Sequence, residues 1–390
     1  MNSASVDLIY LDPPFNSNAN YAAPIGSVAA GAEFKDTWGL DDLKIAWHGL
    51  IKSEHPALYK YLAAVKDIHS PSMMAYLIYM VVRLMEMKRL LKSTGSIYLH
   101  CDPTASHYLK ILMDNIFGRR NFRNEIVWAY PASPSASTKD FPRKHDTIFR
   151  YVVGGEFKFN ADAVRIPYSE SSINRIKYSA NASKVMAGTK IKLRDGGKIP
   201  PSTWSDIQQV YRYRSERTGY PTQKPIELLR RIIKSSSDSD DMILDPFCGC
   251  ATTCIAAEEL QRQWVGIDIG EKAADLVQMR MKENLGMLYD GSHRTDIPTR
   301  NDLAGIRRYN HPENKERLYG KQGGHCNACR EHFQMRHLEI DHIQPQSRGG
   351  SDHISNLQLL CGSCNRIKGD RTQEYLMAVL NDKDIVKLAA

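Results

Sequence analysis

The apolar run Leu8-Ile9-Tyr10-Leu11 is followed at once by Asp12-Pro13-Pro14-Phe15, and no other stretch constrains the chain as much. It joins a buried strand to a corner that cannot relax. Two prolines fix φ and remove two backbone donors, so the segment can continue neither as helix nor as ladder. It therefore holds a carboxylate, bare carbonyls and an aromatic face at a strand's carboxyl end, where open α/β sheets bind their ligands. A strand-ending turn with no further purpose has the same composition, because Asp and Pro are common in turns.

A second stretch weighs against the plain turn. Met242-Ile243-Leu244-Asp245-Pro246-Phe247-Cys248-Gly249-Cys250-Ala251-Thr252-Thr253 reads as a strand, a tight turn of small residues and a helix running through Ala256, Ala257 and Leu260. Trp264-Val265-Gly266-Ile267-Asp268 reads as the next strand, ending in an acid. Small residues let a ligand approach the backbone, and the acid can bind ribose hydroxyls. The first corner suits the exocyclic amine of an extruded base. Asp12 and the Pro13 carbonyl accept its two N–H bonds, and Phe15 stacks on the ring.

On these residues the chain resembles the DNA amino-methyltransferases that use S-adenosylmethionine, in the permuted (beta-class) order with the catalytic motif ahead of the cofactor motif. The resemblance covers most of the chain from Val6 to about Leu285. It implies an α/β fold with a Rossmann-like sheet and an inserted target-recognition domain. Asp12, Pro13, Pro14 and Phe15 match the catalytic motif, and Asp245, Phe247, Gly249 and Thr252 belong to the matching cofactor loop. Asp268 matches the ribose-binding acid. Thr222 and Lys224, in Thr222-Gln223-Lys224-Pro225, match the segment that holds the methionine part of the cofactor. Gly95 to Asp102 looks like another family strand, and Asn121 to Trp128 like the entry to the insert. Asp as the opening residue leans, by this resemblance, toward adenine N6 over cytosine N4. Family loops usually carry Gly where this chain has Ala251. Relatives also usually carry a strand and a Gly-Asp turn ahead of the catalytic strand, whereas only Met1 to Ser5 precede it here. A pocket lacking that wall, or a start lying upstream, is the expectation.

An amine freed from ring conjugation attacks the sulfonium methyl directly, so no nucleophilic thiol is required. Catalysis then comes from position and from acceptors aimed at the charge developing on nitrogen. Cys248, Cys250 and Cys254 are expected to be small packing residues.

Near the other end, Cys326-x-x-Cys329 and Cys361-x-x-Cys364 have the spacing of tetrahedral zinc ligands, which a module with a tiny core needs as a staple. Disulfides are not expected, because there is no signal peptide and no framework pattern among the other cysteines. The stretch between the knuckles resembles the HNH (ββα-metal) endonucleases. By that resemblance Asp341 and Asn365 offer oxygens to a catalytic divalent cation, Mg2+ by preference. His342 deprotonates the attacking water, and Asn356 ties down the loop that orients His342. A zinc-stapled DNA-binding module without cutting activity remains the alternative.

Charge points to a nucleic-acid partner and says where it binds. Arg119 to Lys224 carries 20 Lys and Arg against 9 Asp and Glu, an excess larger than the +8 of the whole chain. Trp204, Tyr211-Arg212-Tyr213-Arg214 and Arg143-Lys144-His145 interleave aromatic and basic residues there, which suits phosphate and stacking contacts with double-stranded DNA. The expected organisation is a methyltransferase domain over 1–290, with the insert at 122–218, a polar linker over 291–316 and the nuclease-like module over 317–390 closing with a short helix at 372–380. Ser72 to Leu91 is dense in methionine, but Arg83, Glu86, Lys88 and Arg89 exclude a membrane span, so an amphipathic helix covering the sheet is expected. A cytoplasmic protein follows from the absence of a targeting signal. Three readings stay open: an adenine-specific DNA methyltransferase fused to a nuclease in restriction and modification, a methyltransferase whose zinc module only docks DNA, and an incomplete methyltransferase acting mainly as a nuclease. Cytosine N4 remains open as the target in the first two.

Overall fold

The computed structural model describes residues 1–15, 19–22, 33–36, 51, 55–131, 139–174, 193–286, 294, 307–348 and 350–382. Its contacts divide the chain into two units, Met1–Pro298 and Thr299–Ala390.

The first unit is built on a seven-stranded sheet whose strands lie in the order Thr203–Trp204 (β7), Phe122–Ala129 (β5), His145–Val152 (β6), Leu91–Cys101 (β4), Val6–Leu11 (β1), Met242–Asp245 (β8) and Gln263–Gly266 (β9). The central strand β1 (Val6–Leu11) is buried along its whole length, as a strand covered on both faces must be. A separate antiparallel pair, β2 (Ala19–Ala22) and β3 (Glu33–Asp36), follows. The chain then runs through α1 (Pro56–Ile68) and α2 (Pro71–Leu90) into β4 (Leu91–Cys101), which lies parallel to β1. Ser70 caps α2 by accepting the Met73 N–H at 3.1 Å, and Pro71 fills its first turn. Met73, Met74, Met80 and Met87 are buried, so this helix covers the sheet as its sequence predicts. No helix among the described residues is long and apolar enough to cross a membrane.

After α3 (Ser106–Met113) come β5 (Phe122–Ala129) and β6 (His145–Val152), antiparallel to each other, with β6 antiparallel to β4. Residues assigned from sequence to an insert beginning at Phe122 therefore start by extending the main sheet. The short β7 (Thr203–Trp204) pairs with β5. Then α4 (Ile226–Ser236), β8 (Met242–Asp245), α5 (Thr252–Glu259), β9 (Gln263–Gly266) and α6 (Glu271–Leu285) complete the unit.

Side-chain alternation along β1 separates two cores. Ile9 and Leu11 pack with α1, α2 and α3, while Leu8 and Tyr10 pack with α4 and α5. This is a doubly wound sheet with helices on both faces. β1 pairs in parallel with β8 through Leu8↔Ile243 and Ile9↔Leu244. From β1 the chain crosses toward β4, and from β8 it crosses toward β9 on the opposite side. The carboxyl ends of these two adjacent strands therefore open at a topological switch point, where such sheets bind ligands.

In the second unit α7 (Pro312–Gln322) precedes an antiparallel pair, β10 (Leu338–His342) and β11 (Leu357–Cys361), followed by α8 (Gly362–Lys368) and α9 (Gln373–Asp382). Of the stretch read as a linker, 291–293 and 295–306 lie outside the described residues, and 312–316 are already helical.

Candidate functional site

Asp12 stands at the carboxyl end of β1. Its Oδ2 accepts from Lys224 Nζ at 2.5 Å, with the side chains only 15% and 9% exposed. Lys224 also donates to the Thr222 carbonyl at 3.2 Å and lies 5.2 Å from the centroid of the Phe15 ring. The segment read as a cofactor clamp thus reaches the Asp12 corner itself, and Thr222 turns its hydroxyl back onto the Pro221 carbonyl. The other oxygen, Asp12 Oδ1, is buried without a hydrogen-bond partner among the described residues. A buried acceptor left in that state costs free energy unless something donates to it.

Across the switch point, the loop after β8 is braced by its own acid. Asp245 Oδ1 accepts from Phe247 N at 3.0 Å and Oδ2 from the Thr253 hydroxyl at 2.5 Å. Asp245 therefore shapes the loop, and both of its oxygens are already engaged. Asp268 accepts the Gly249 N–H at 2.9 Å and the Gly270 N–H at 2.8 Å, tying the loop to the end of β9. Thr252 is buried, with its hydroxyl 3.3 Å from an Arg280 nitrogen, so the structure assigns it to packing instead of the open cleft. Phe247 packs against the α2 face, its ring 6.4 Å from Tyr79. Cys248, Cys250 and Cys254 are buried, as expected.

Ala251 adopts φ 66°, so the methyl that replaces the family glycine is carried in the left-handed region, at a cost of roughly 1 kcal/mol. Gly249 has φ 48°, and a Cβ there would come within 2.8 Å of the Tyr220 ring. Gly249→Ala is expected to lower stability by roughly 1–2 kcal/mol through strain and displacement of Tyr220. Thermal melts check this, and an unchanged midpoint would contradict it.

Burial pushes the Asp245 carboxyl up to about 7 against the hydrogen bonds from Thr253 and Phe247, and the negative charges of Asp12 and Asp268 add to the rise. Such a group stabilises the fold below its unfolded pKa, and the contribution is lost as pH rises through about 7. Chemical denaturation should show this part of the stability falling between about pH 4 and pH 7 and levelling off above that. Asp245→Asn should flatten the slope by up to roughly 4 kcal/mol. Parallel pH profiles for the two proteins would refute the assignment.

Residues that sequence reading did not single out lie beneath the corner. His100 of β4 is fully buried, with Nδ1 2.8 Å from the Tyr10 hydroxyl and Nε2 3.0 Å from Asp146 Oδ2. Burial works to raise Asp146, but the His100 hydrogen bond and charge, with Lys224 and the Tyr130 hydroxyl, hold it below the usual carboxylate range. Trp204, read as a DNA contact, is instead a core residue covered by Arg231, whose guanidinium carbon is 5.0 Å from the ring centroid. Tyr211 remains 41% exposed.

In the second unit the Sγ atoms of Cys326, Cys329, Cys361 and Cys364 all lie within 4.8 Å of one another, a group that can hold a metal ion. The Cys329–Cys361 separation is 4.0 Å, and zinc with Zn–S bonds of about 2.3 Å needs sulfurs roughly 3.8 Å apart. Asn356 brackets the loop after β10, its Oδ1 accepting from Gln344 N at 3.0 Å and its Nδ2 donating to the Gln344 and Ser351 carbonyls. His342 Nε2 lies 2.8 Å from Asp352 Oδ1, and its ring packs 4.9 Å from Tyr309. Asp341 is held by the buried Lys368 at 3.0 Å and by Gln358 at 2.8 Å. The Asn365 amide donates to Glu339 at 2.5 Å, on the same face of β10 as Asp341. Asp352, Lys368 and Glu339 carried no signal of their own in the sequence.

An open α/β sheet with two acid-bearing loops at its switch point defines the class of a nucleotide-type ligand binder. A family model described as DNA methylase matches residues 6–279, and the chain belongs to that family. A second model, HNH endonuclease, matches residues 326–371. The chain is 31% identical over 195 residues to the type II methyltransferase M.BglII of Bacillus subtilis, covering 48% of this chain and 52% of that protein. It is 28% identical over 258 residues to the type II methyltransferase M.EcaI of Enterobacter cloacae, covering 53% and 57%. With the DNA adenine methyltransferase YhdJ of Escherichia coli (strain K12) it shares 27% identity over 270 residues, covering 69% and 73%. The chain thus spans about half the length of the first two of these curated relatives. Among solved structures, the PvuII DNA methyltransferase (cytosine-N4-specific) aligns over 71% of this chain and 79% of its own at 13% identity, with a TM-score of 0.42.

Proposed function

We propose that the chain transfers a methyl group from S-adenosylmethionine to the N6 amine of adenine in double-stranded DNA, acting on a base extruded from the helix. The observation that carries this reading is the buried Asp12 Oδ1 at the switch point, an acceptor without a hydrogen-bond partner among the described residues and so open to an N–H donor. When bound, the cofactor supplies an electrophilic methyl on a sulfonium. The cleft suits that cation, because the carboxylates of Asp12 and Asp268 lie close enough to act together on Asp245 between them. Asp268 would take the ribose hydroxyls, and Ile269 beside it, fully exposed, offers an apolar face. Asp12 and the Pro13 carbonyl orient the amine, and the Asp12 carboxylate stabilises the positive charge that develops on nitrogen. Lys224 must then share or surrender its bond to Asp12 as the amine arrives.

For the second unit we propose a structural zinc on the four cysteines and a metal-dependent cut of DNA. The donors there fit a hard cation: Asp341 and Glu339 offer oxygens on one face of β10, Asn365 of α8 adds an amide oxygen beside them, and Lys368 offsets one of the two carboxylate charges. His342, held by Asp352, would accept the proton of the attacking water. Together the two activities describe a restriction and modification enzyme.

The test supplies tritiated S-adenosylmethionine and DNA from a methylation-free host, followed by mapping of the methylated base. Label in N6-methyladenine supports the reading, label in N4-methylcytosine moves the target, and no label refutes it. With added Mg2+, His342→Ala should abolish cutting and leave methyl transfer unchanged; cutting by the variant would refute the nuclease assignment.

A further inference from the structure

Four neighbouring strands each contribute one residue to a buried cluster beneath the catalytic corner: Tyr10 from β1, His100 from β4, Trp128 from β5 and Asp146 from β6. His100 has no exposed surface, yet both ring nitrogens are satisfied. Trp128 meets the ring edge-on at 5.8 Å and 89°, and Tyr10 does so at 6.1 Å and 82°. These contacts fix the plane of the imidazole. That plane lies under Phe15, with ring centroids 5.9 Å apart and an interplanar angle of 26°, an offset stack. A leucine would fill the same volume without the cost of burying two polar nitrogens, whereas a fully satisfied polar network holds one geometry.

We propose that His100 is the positioning residue for Phe15. One face of the Phe15 ring is taken by the imidazole, so the extruded base stacks on the face turned away from His100 while Lys224, 5.2 Å from the ring centroid, gives way with its bond to Asp12, and Tyr10 and Asp146 act on the Phe15 ring through His100. The proposal rests on the methyltransferase reading above.

A double-mutant cycle tests it, with tritiated S-adenosylmethionine and methylation-free genomic DNA as probes. Phe15→Ala and His100→Ala should each lower kcat about ten- to a hundredfold, the worth of one base–aromatic stack. The double variant should be no slower than Phe15→Ala alone, and cofactor affinity by calorimetry should stay within about twofold. Losses that multiply, or a His100→Ala enzyme with unchanged kcat, would overturn the proposal while leaving the methyltransferase reading intact. Tyr10→Phe and Asp146→Asn keep the imidazole ring and serve if His100→Ala does not fold. Each should lower kcat several-fold in the wild-type background and not at all in the Phe15→Ala background. Equal losses in both backgrounds would overturn the proposal. A wild-type chain that transfers no methyl group overturns the functional reading and this proposal with it.

Discussion

Asp12→Ala is expected to lower kcat for methyl transfer by about a hundred- to a thousandfold, the range for removing one group aimed at developing charge. Cofactor affinity should change little by comparison, because the cofactor pocket is shaped mainly by the loop after β8 and the acid after β9. The variant also strands Lys224, whose side chain is 9% exposed and whose ammonium loses its carboxylate partner. Leaving a largely buried charge unpaired costs several kcal/mol. A fall in melting temperature must therefore be separated from the loss of chemistry. Asp12→Asn makes that separation, since it keeps the shape and one acceptor while removing the charge. If catalysis depends on that charge, Asp12→Asn falls well below wild type at a temperature where both are folded. Single-turnover rates equal to wild type would place the chemistry elsewhere.

Removing the zinc proposed for Cys326, Cys329, Cys361 and Cys364 is expected to unfold the second unit. Its hydrophobic core is small, formed chiefly by Leu318, Leu338, Leu357, Leu359, Leu360, Leu376 and Leu380 around the cysteines themselves. The four cysteines sit inside that core, so removing the metal would leave thiols at its centre with no ion to hold them together. Structural zinc supplies about 10–16 kcal/mol of apparent folding free energy at neutral pH. A high-affinity chelator, or Cys361→Ser, should abolish amide-exchange protection across β10 and β11 and release about one zinc per chain. Methyl transfer, which belongs to the first unit, should survive. Protection that persists without metal would show that the cysteines are mere packing.

How far the sequence reached follows from what each residue signals locally. Asp12-Pro13-Pro14-Phe15 and Asp245 to Thr253 were legible because prolines, small residues and terminal acids dictate local backbone, and the strands before them are continuous apolar runs. Their adjacency was an inference from topology, and the parallel pairing of β1 with β8 bears it out. The cysteine knuckles were legible from spacing. Lys224 was read as a clamp and turns out to pair with Asp12, 212 positions away, because nothing local announces a long-range ion pair. Trp204 was misread for the opposite reason: an aromatic in a basic stretch looks exposed until Arg231, from α4, is seen to cover it. The His100 network was invisible because its members come from separate strands, each with an ordinary alternating pattern. That residues from Phe122 onward join the main sheet was not legible, because β5 and β6 have short, mixed patterns that do not reveal the pairing of β6 with β4 through His100↔Ile148 and its neighbours.

The most direct test of the switch-point account is a crystal structure of the chain with sinefungin, a sulfonium-free analogue of the cofactor. Its ribose is expected on Asp268 and the amine that replaces the transferable methyl turned toward Asp12 Oδ1, close enough that a base nitrogen between them could approach to about 3–3.5 Å. An analogue bound away from Asp268, or with that amine facing away from Asp12, would contradict it.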